Sequence, residues 1–108
     1  MREPMYDELI RGLLEILQDQ AVQIVLFGST ARGEATQESD IDIALFVQNC
    51  LSPEQEDRLS DFIVDMNLKY DKVFSVVDID LQTYLHWRSV TPFYQNVDRE
   101  GIVLWKAA

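Results

Sequence analysis

Residues 41–47, IDIALFV, constrain the fold more than any other stretch of the chain. The run is apolar and β-branched, as a strand requires, yet Asp42 sits inside it between Ile41 and Ile43. Residues two apart on a strand share a face, so Asp40 and Asp42 should project to one side and the two isoleucines to the other. The isoleucines then enter a core while the carboxylates stand side by side. A second apolar run, residues 22–27 (VQIVLF), stops at Gly28-Ser29, and ten residues separate Ser29 from Asp40.

The remaining elements follow from periodicity and caps. Leu9, Ile10, Leu13, Leu14 and Leu17 form one face of a helix over residues 5–19. Pro4 suits its first turn, and Asp7 and Glu8 complement the positive end of its dipole. Gly12 is a mild liability inside it. Ser52, Pro53 and Gln55 read as a capping box with proline at the first helical position. They open a helix from 53 to about 70 with Leu59, Phe62, Ile63, Met66 and Tyr70 on its apolar face. Residues 73–79 (VFSVVDI) are a third strand candidate, and a short helix over 81–87 follows. Thr91-Pro92 leads into a helical turn around 93–97, Gly101 ends it, and 102–105 form an apolar tail that packs or pairs. The order α-β-β-α-β-α implies an α/β (α+β) fold: a small sheet of three to four strands flanked by helices. The 108 residues fit one domain, 1–108, with a modest core that a partner chain could help to cover.

Charge excludes one class of partner. Nine Lys and Arg against 19 Asp and Glu leave a formal net charge of -10. Such a surface repels a nucleic-acid backbone and favours a basic protein partner. The single cysteine, Cys50, precludes an intrachain disulfide and suits a reducing compartment. No apolar run approaches about 18 residues and no secretion signal is evident, so a cytoplasmic protein without a membrane span is expected.

The chemistry concentrates in 27–43, FGSTARGEATQESDIDI. Glycine lets backbone approach a ligand closely, and Ser29 with the amides around it would form an anion site if a short helix starts there. Gly-Ser after a strand is also what a simple turn looks like. Two carboxylates on one strand face repel each other unless a cation lies between them, and oxygen donors of this kind suit Mg²⁺. Alone, Asp-x-Asp reads equally as a solvated edge strand. Together, a phosphate-cradling turn and an acidic pair on adjacent strand candidates make a nucleotide-plus-metal site.

Gly28-Ser29, ten residues, then Asp40-Ile41-Asp42 resembles the signature of the DNA polymerase beta-like nucleotidyltransferase superfamily. The context FGSTARGEATQESDIDIALF is similar to its minimal, single-domain branch, the MNT or MntA-like antitoxins. The likeness is strongest over about 22–47, and the element order extends it over nearly the whole chain. It implies a mixed sheet of the polymerase beta-like kind. It implies that Gly28, Ser29 and nearby amides hold the β- and γ-phosphates of ATP, that Asp40 and Asp42 ligate Mg²⁺, and that Arg32 stabilises phosphate charge. Arg32 reads otherwise as a solvent-facing loop residue.

Family members usually carry a third carboxylate on the next strand, as base or metal ligand. Aligning VVDIDL with that pattern favours Asp78, whereas a one-residue shift puts Val77 there and Asp80 at the strand's end. His86, without a second spaced donor, reads as structural. Tyr84, Trp87, Phe93 and Tyr94 read as core or as an interface.

By the resemblance, the chain is an enzyme that moves AMP from ATP to a tyrosine hydroxyl of a HEPN-type toxin and so acts as its antitoxin. The alternative of another class is a non-catalytic antitoxin that masks its partner by contact. A small-molecule, aminoglycoside-like nucleotidyltransferase is a third option. Assembly with itself or with a partner chain is expected.

Overall fold

A computed structural model describes residues 3–36 and 39–108. Helix α1 (Pro4–Leu17) leads through a short 3-10 turn into β1 (Ala21–Phe27), and the four-residue helix α2 (Gly28–Ala31) follows at once. Strand β2 (Ile41–Val47), helix α3 (Pro53–Tyr70) and strand β3 (Phe74–Asp80) come next, then α4 (Leu81–Trp87), α5 (Pro92–Glu100) and β4 (Ile102–Lys106). The four strands form one mixed sheet in the order β3-β2-β1-β4. Strand β1 pairs antiparallel with β2 and β4, whereas β2 and β3 run parallel because α3 carries the chain back between them.

The expected apolar tail is therefore a strand, β4, hydrogen-bonded to β1 at the sheet edge. Ser52 caps α3 as the sequence requires: its hydroxyl accepts from the Gln55 amide at 3.1 Å while the Gln55 side chain accepts from the Ser52 amide at 3.0 Å. Asp71 closes that helix in the left-handed conformation, and Asn67 Oδ1 accepts from the Phe74 amide at 2.9 Å, fixing where β3 begins.

Both faces of the sheet are covered. On one, Ile24, Ile43, Leu45 and Phe74 pack against Leu9, Leu13 and Leu17 of α1 and Leu59 and Met66 of α3. On the other, Val25, Ala44, Phe46 and Ile79 pack against Val97, with Tyr84 of α4 and Tyr94 of α5 alongside. Alternation along β2 thus sends Ile41, Ile43, Leu45 and Val47 to the first face and Asp42, Ala44 and Phe46 to the second. The predicted face of α3 is the one that packs, with Phe62, Ile63 and Tyr70 partly buried beside Leu59 and Met66.

Gly12 is a packing residue and not only a break in helix propensity. A Cβ there would fall on the ring tip of Phe62, so the glycine is what lets α3 lie against α1. Glu8 ties the same two helices from the surface, accepting from Lys69 Nζ at 2.7 Å and from the Tyr70 hydroxyl at 2.6 Å. Among the described residues, no helix is long and apolar enough to cross a membrane.

Candidate active site

The site is built where β1 ends and β2 begins. Phe27, the last residue of β1, pairs with Asp42 on β2, so the chain leaves β1 level with that carboxylate. Gly28 makes the turn with φ +75, a region costly for any residue bearing a Cβ. A Cβ at that point would collide with Asp42 Oδ2. Glycine is thus required for the backbone angle, and a side chain there would also push the Asp42 carboxylate aside. Ser29 then lies in the first turn of α2, where amides have no helical partner.

Asp42 is partly buried on the second face of the sheet, and Asp40 lies just outside the strand, exposed in the loop that enters it. The Thr30 hydroxyl donates to the Asp40 carbonyl at 3.4 Å, which ties α2 to that loop. Burial pushes the Asp42 carboxyl above the usual carboxylate range, the charge of Asp40 adds to the push, and Arg32 opposes it. A carboxylate held in this way gains most from a cation placed beside it.

Arg32 stands near this pair but is engaged by acids. Its guanidinium bonds Glu100 at the end of α5 at 3.1 Å and Glu34 at 3.3 Å, and these contacts hold its pKa further above its ordinary value. A small cavity of about 140 Å³ adjoins the same edge, lined in part by Thr30, Ser39, Ile41 and Lys72. A depression of about 580 Å³ along α4, by Gln82, Leu85 and Trp87, contains none of the signature residues.

The structure does not bring Asp78 to Asp40 and Asp42. In β3, Ser75 pairs with Asp42 and Asp78 pairs with Leu45, a residue of the opposite face. Asp78 consequently points towards α3, where it lies beside Glu56 and helps raise that carboxyl above its ordinary value. The two-residue period of a strand is the reason: positions 75 and 78 differ by an odd number and cannot share a face. Asp80 is committed as the N-cap of α4, accepting from the Thr83 amide at 2.9 Å and the Thr83 hydroxyl at 2.7 Å. The alternative alignment that put Val77 in the third position is also displaced, since the residue opposite Asp42 is Ser75.

Residues 12–108 match the family model described as "Polymerase beta, Nucleotidyltransferase". The chain belongs to the polymerase beta nucleotidyltransferase family. This nucleotidyltransferase is 30% identical over 96 residues to "Putative protein adenylyltransferase MJ0141" of Methanocaldococcus jannaschii, covering 88% of its own length and 90% of that protein. It is 30% identical over 103 residues to MJ0604 of the same organism, which carries the same description, covering 95% of its own length and 97% of that protein. Its fold matches a chain from a toxin-antitoxin crystal structure with AMP-PNP at a TM-score of 0.62 and 26% identity, over 94% of this chain and 73% of that one.

The donor set suits a divalent cation. Asp40 and Asp42 are hard oxygen donors set near each other, and Asp42 carries an electrostatic burden that a cation would relieve. His86 packs on the edge of Trp87 at 4.7 Å, exposed and remote from the acids in sequence. Tyr84 and Tyr94 join the second core cluster, while Trp87 remains 50% exposed. No local sequence signal marks Ser75 or Glu100, because strand register and the docking of α5 place them.

Proposed function

We propose that this nucleotidyltransferase carries AMP from Mg²⁺-bound ATP to a tyrosine hydroxyl of a HEPN-type toxin and thereby silences it. The observation that carries the reading is the close approach of the Gly28 turn, which Ser29 follows, to Asp42. Ser29 and the amides of α2 would receive the β- and γ-phosphates, with Arg32 available to the same charge once its carboxylate partners yield. Asp40 and Asp42 would hold Mg²⁺, which neutralises the phosphates and polarises the α-phosphorus. The tyrosine hydroxyl would release its proton to solvent as its oxygen bonds to that phosphorus, the bond to the bridging oxygen of the β-phosphate would break, and pyrophosphate would leave. The protein acceptor is supported by the names of the M. jannaschii relatives, and the toxin partner by the toxin-antitoxin complexes, at 26% and 27% identity, whose chains share this fold. The excess of acidic residues favours a basic partner surface.

The masking reading draws on one observation, that β3 supplies no acid beside Asp42. Incubation with labelled ATP, Mg²⁺ and the toxin separates the two. Label on the toxin that is lost in Asp42→Asn supports transfer. Neutralisation by Asp42→Asn at full strength, without label, replaces transfer by masking.

A further inference from the structure

We propose that Ser75 makes this, among the described residues, a two-carboxylate metal site: it occupies the β3 position facing Asp42, and no acid of β3 reaches the reacting edge. The inference rests on the reading that Asp40 and Asp42 hold a divalent cation, and it concerns how many charges this chain brings to that ion.

The strand register carries it. Ser75 is the parallel partner of Asp42 and shares its face of the sheet. Neighbouring strands lie about 4.8 Å apart, and Mg²⁺ sits about 2.1 Å from each oxygen ligand. A carboxylate at position 75 would therefore share one ion with Asp42, whereas serine offers a neutral hydroxyl. The other acids of β3 are excluded on separate grounds. Asp78 lies on the far face against Glu56, beside a groove of about 320 Å³ that α3 forms with β3. Asp80 holds the first turn of α4 through Thr83. Among the described residues, no group of three His, Cys, Asp or Glu side chains is placed to hold a metal ion.

Ligand charge sets much of a hard cation's affinity, so a site with two carboxylates binds more weakly than one with three. Ser75 is thus a positioning residue whose identity sets the strength of ion binding in this chain.

The test uses Mn²⁺ as the probe, titrated into the full chain alone, with free ion read by electron paramagnetic resonance. Four proteins are compared: wild type, Ser75→Asp, Asp78→Asn and Asp42→Asn. The expected result is that Asp42→Asn loses binding, Ser75→Asp binds about tenfold more tightly, and Asp78→Asn matches wild type. Asp78→Asn weakening the ion as Asp42→Asn does would overturn the proposal. So would Ser75→Asp with wild-type circular dichroism and no gain in affinity. Should Ser75→Asp fail to fold, the Asp78→Asn arm decides alone. Wild-type binding indifferent to Asp42→Asn would end the functional reading itself, an outcome distinct from the other two.

Discussion

The position a Cβ would take on Gly28 is already filled by Oδ2 of Asp42. The turn that leaves β1 and the carboxylate of β2 are therefore fitted to each other at atomic range. Gly28→Ala forces a left-handed angle on a residue with a Cβ, at a cost of about 1–2 kcal/mol. It also displaces Asp42. We expect a loss of stability of that size, and a fall of about tenfold or more in Mn²⁺ affinity, because the proposed ligand is moved. Denaturant titration and ion titration on the same protein check both.

Arg32 is shared between Glu34 and Glu100. Phosphates that need the guanidinium must compete with those carboxylates. Glu100→Gln removes the shorter contact and should tighten Mg-ATP binding a few-fold, while Arg32→Ala should weaken it. Isothermal titration of both variants reads the two signs. Unchanged affinity in both would remove Arg32 from the phosphate site.

Gly12→Ala sets two effects against each other. Helix propensity alone favours alanine by about 1 kcal/mol. The new methyl group, however, meets the Phe62 ring, which must swing as a rigid body, and overpacking costs about 1–3 kcal/mol. The expected net result is destabilisation, read as a lower denaturation midpoint, and Gly12→Ala with Phe62→Leu should recover part of it.

Glu8 gives stability a defined pH dependence. Its bonds from Lys69 and Tyr70 lower its pKa from the ordinary 4.5. A lowered carboxylate stabilises the fold fully above that ordinary value and loses the contribution as pH falls through the lowered one. Lys69 and Tyr70 are shifted upward from 10.5 and 10.0, chiefly by their bonds to Glu8, so their contributions persist up to those values and disappear above them. The contribution of this cluster, read as the difference in denaturation midpoint between wild type and Glu8→Gln, should be flat between these limits and shrink on the acid side, where the raised carboxyls of Asp42 and Glu56 act alike in both proteins.

Much of this architecture is legible in the sequence because the signals are local. The bounds of β2, the capped start and the end of α3, and the span of α4 coincide with the reading from periodicity and caps. The Asp pair and the Gly28 turn also declare themselves, since both lie within one short stretch. What escapes is non-local. Ser75 rather than Asp78 meets Asp42 because the crossover through α3 sets the register, and hydrophobic alternation in VFSVVDID fits either face. Arg32 finds Glu100 across 68 positions of chain. Gly12 looks like a weak helix residue until α3 is laid against it.

Helix α3 serves as a ruler. Its eighteen residues run from the Ser52 cap to the left-handed Asp71, and Asn67 then grips the first amide of β3. One residue added inside that span would deliver a different neighbour to Asp42 and turn the whole of β3 over. The candidate edge is thus calibrated by a helix that contributes no atom to it.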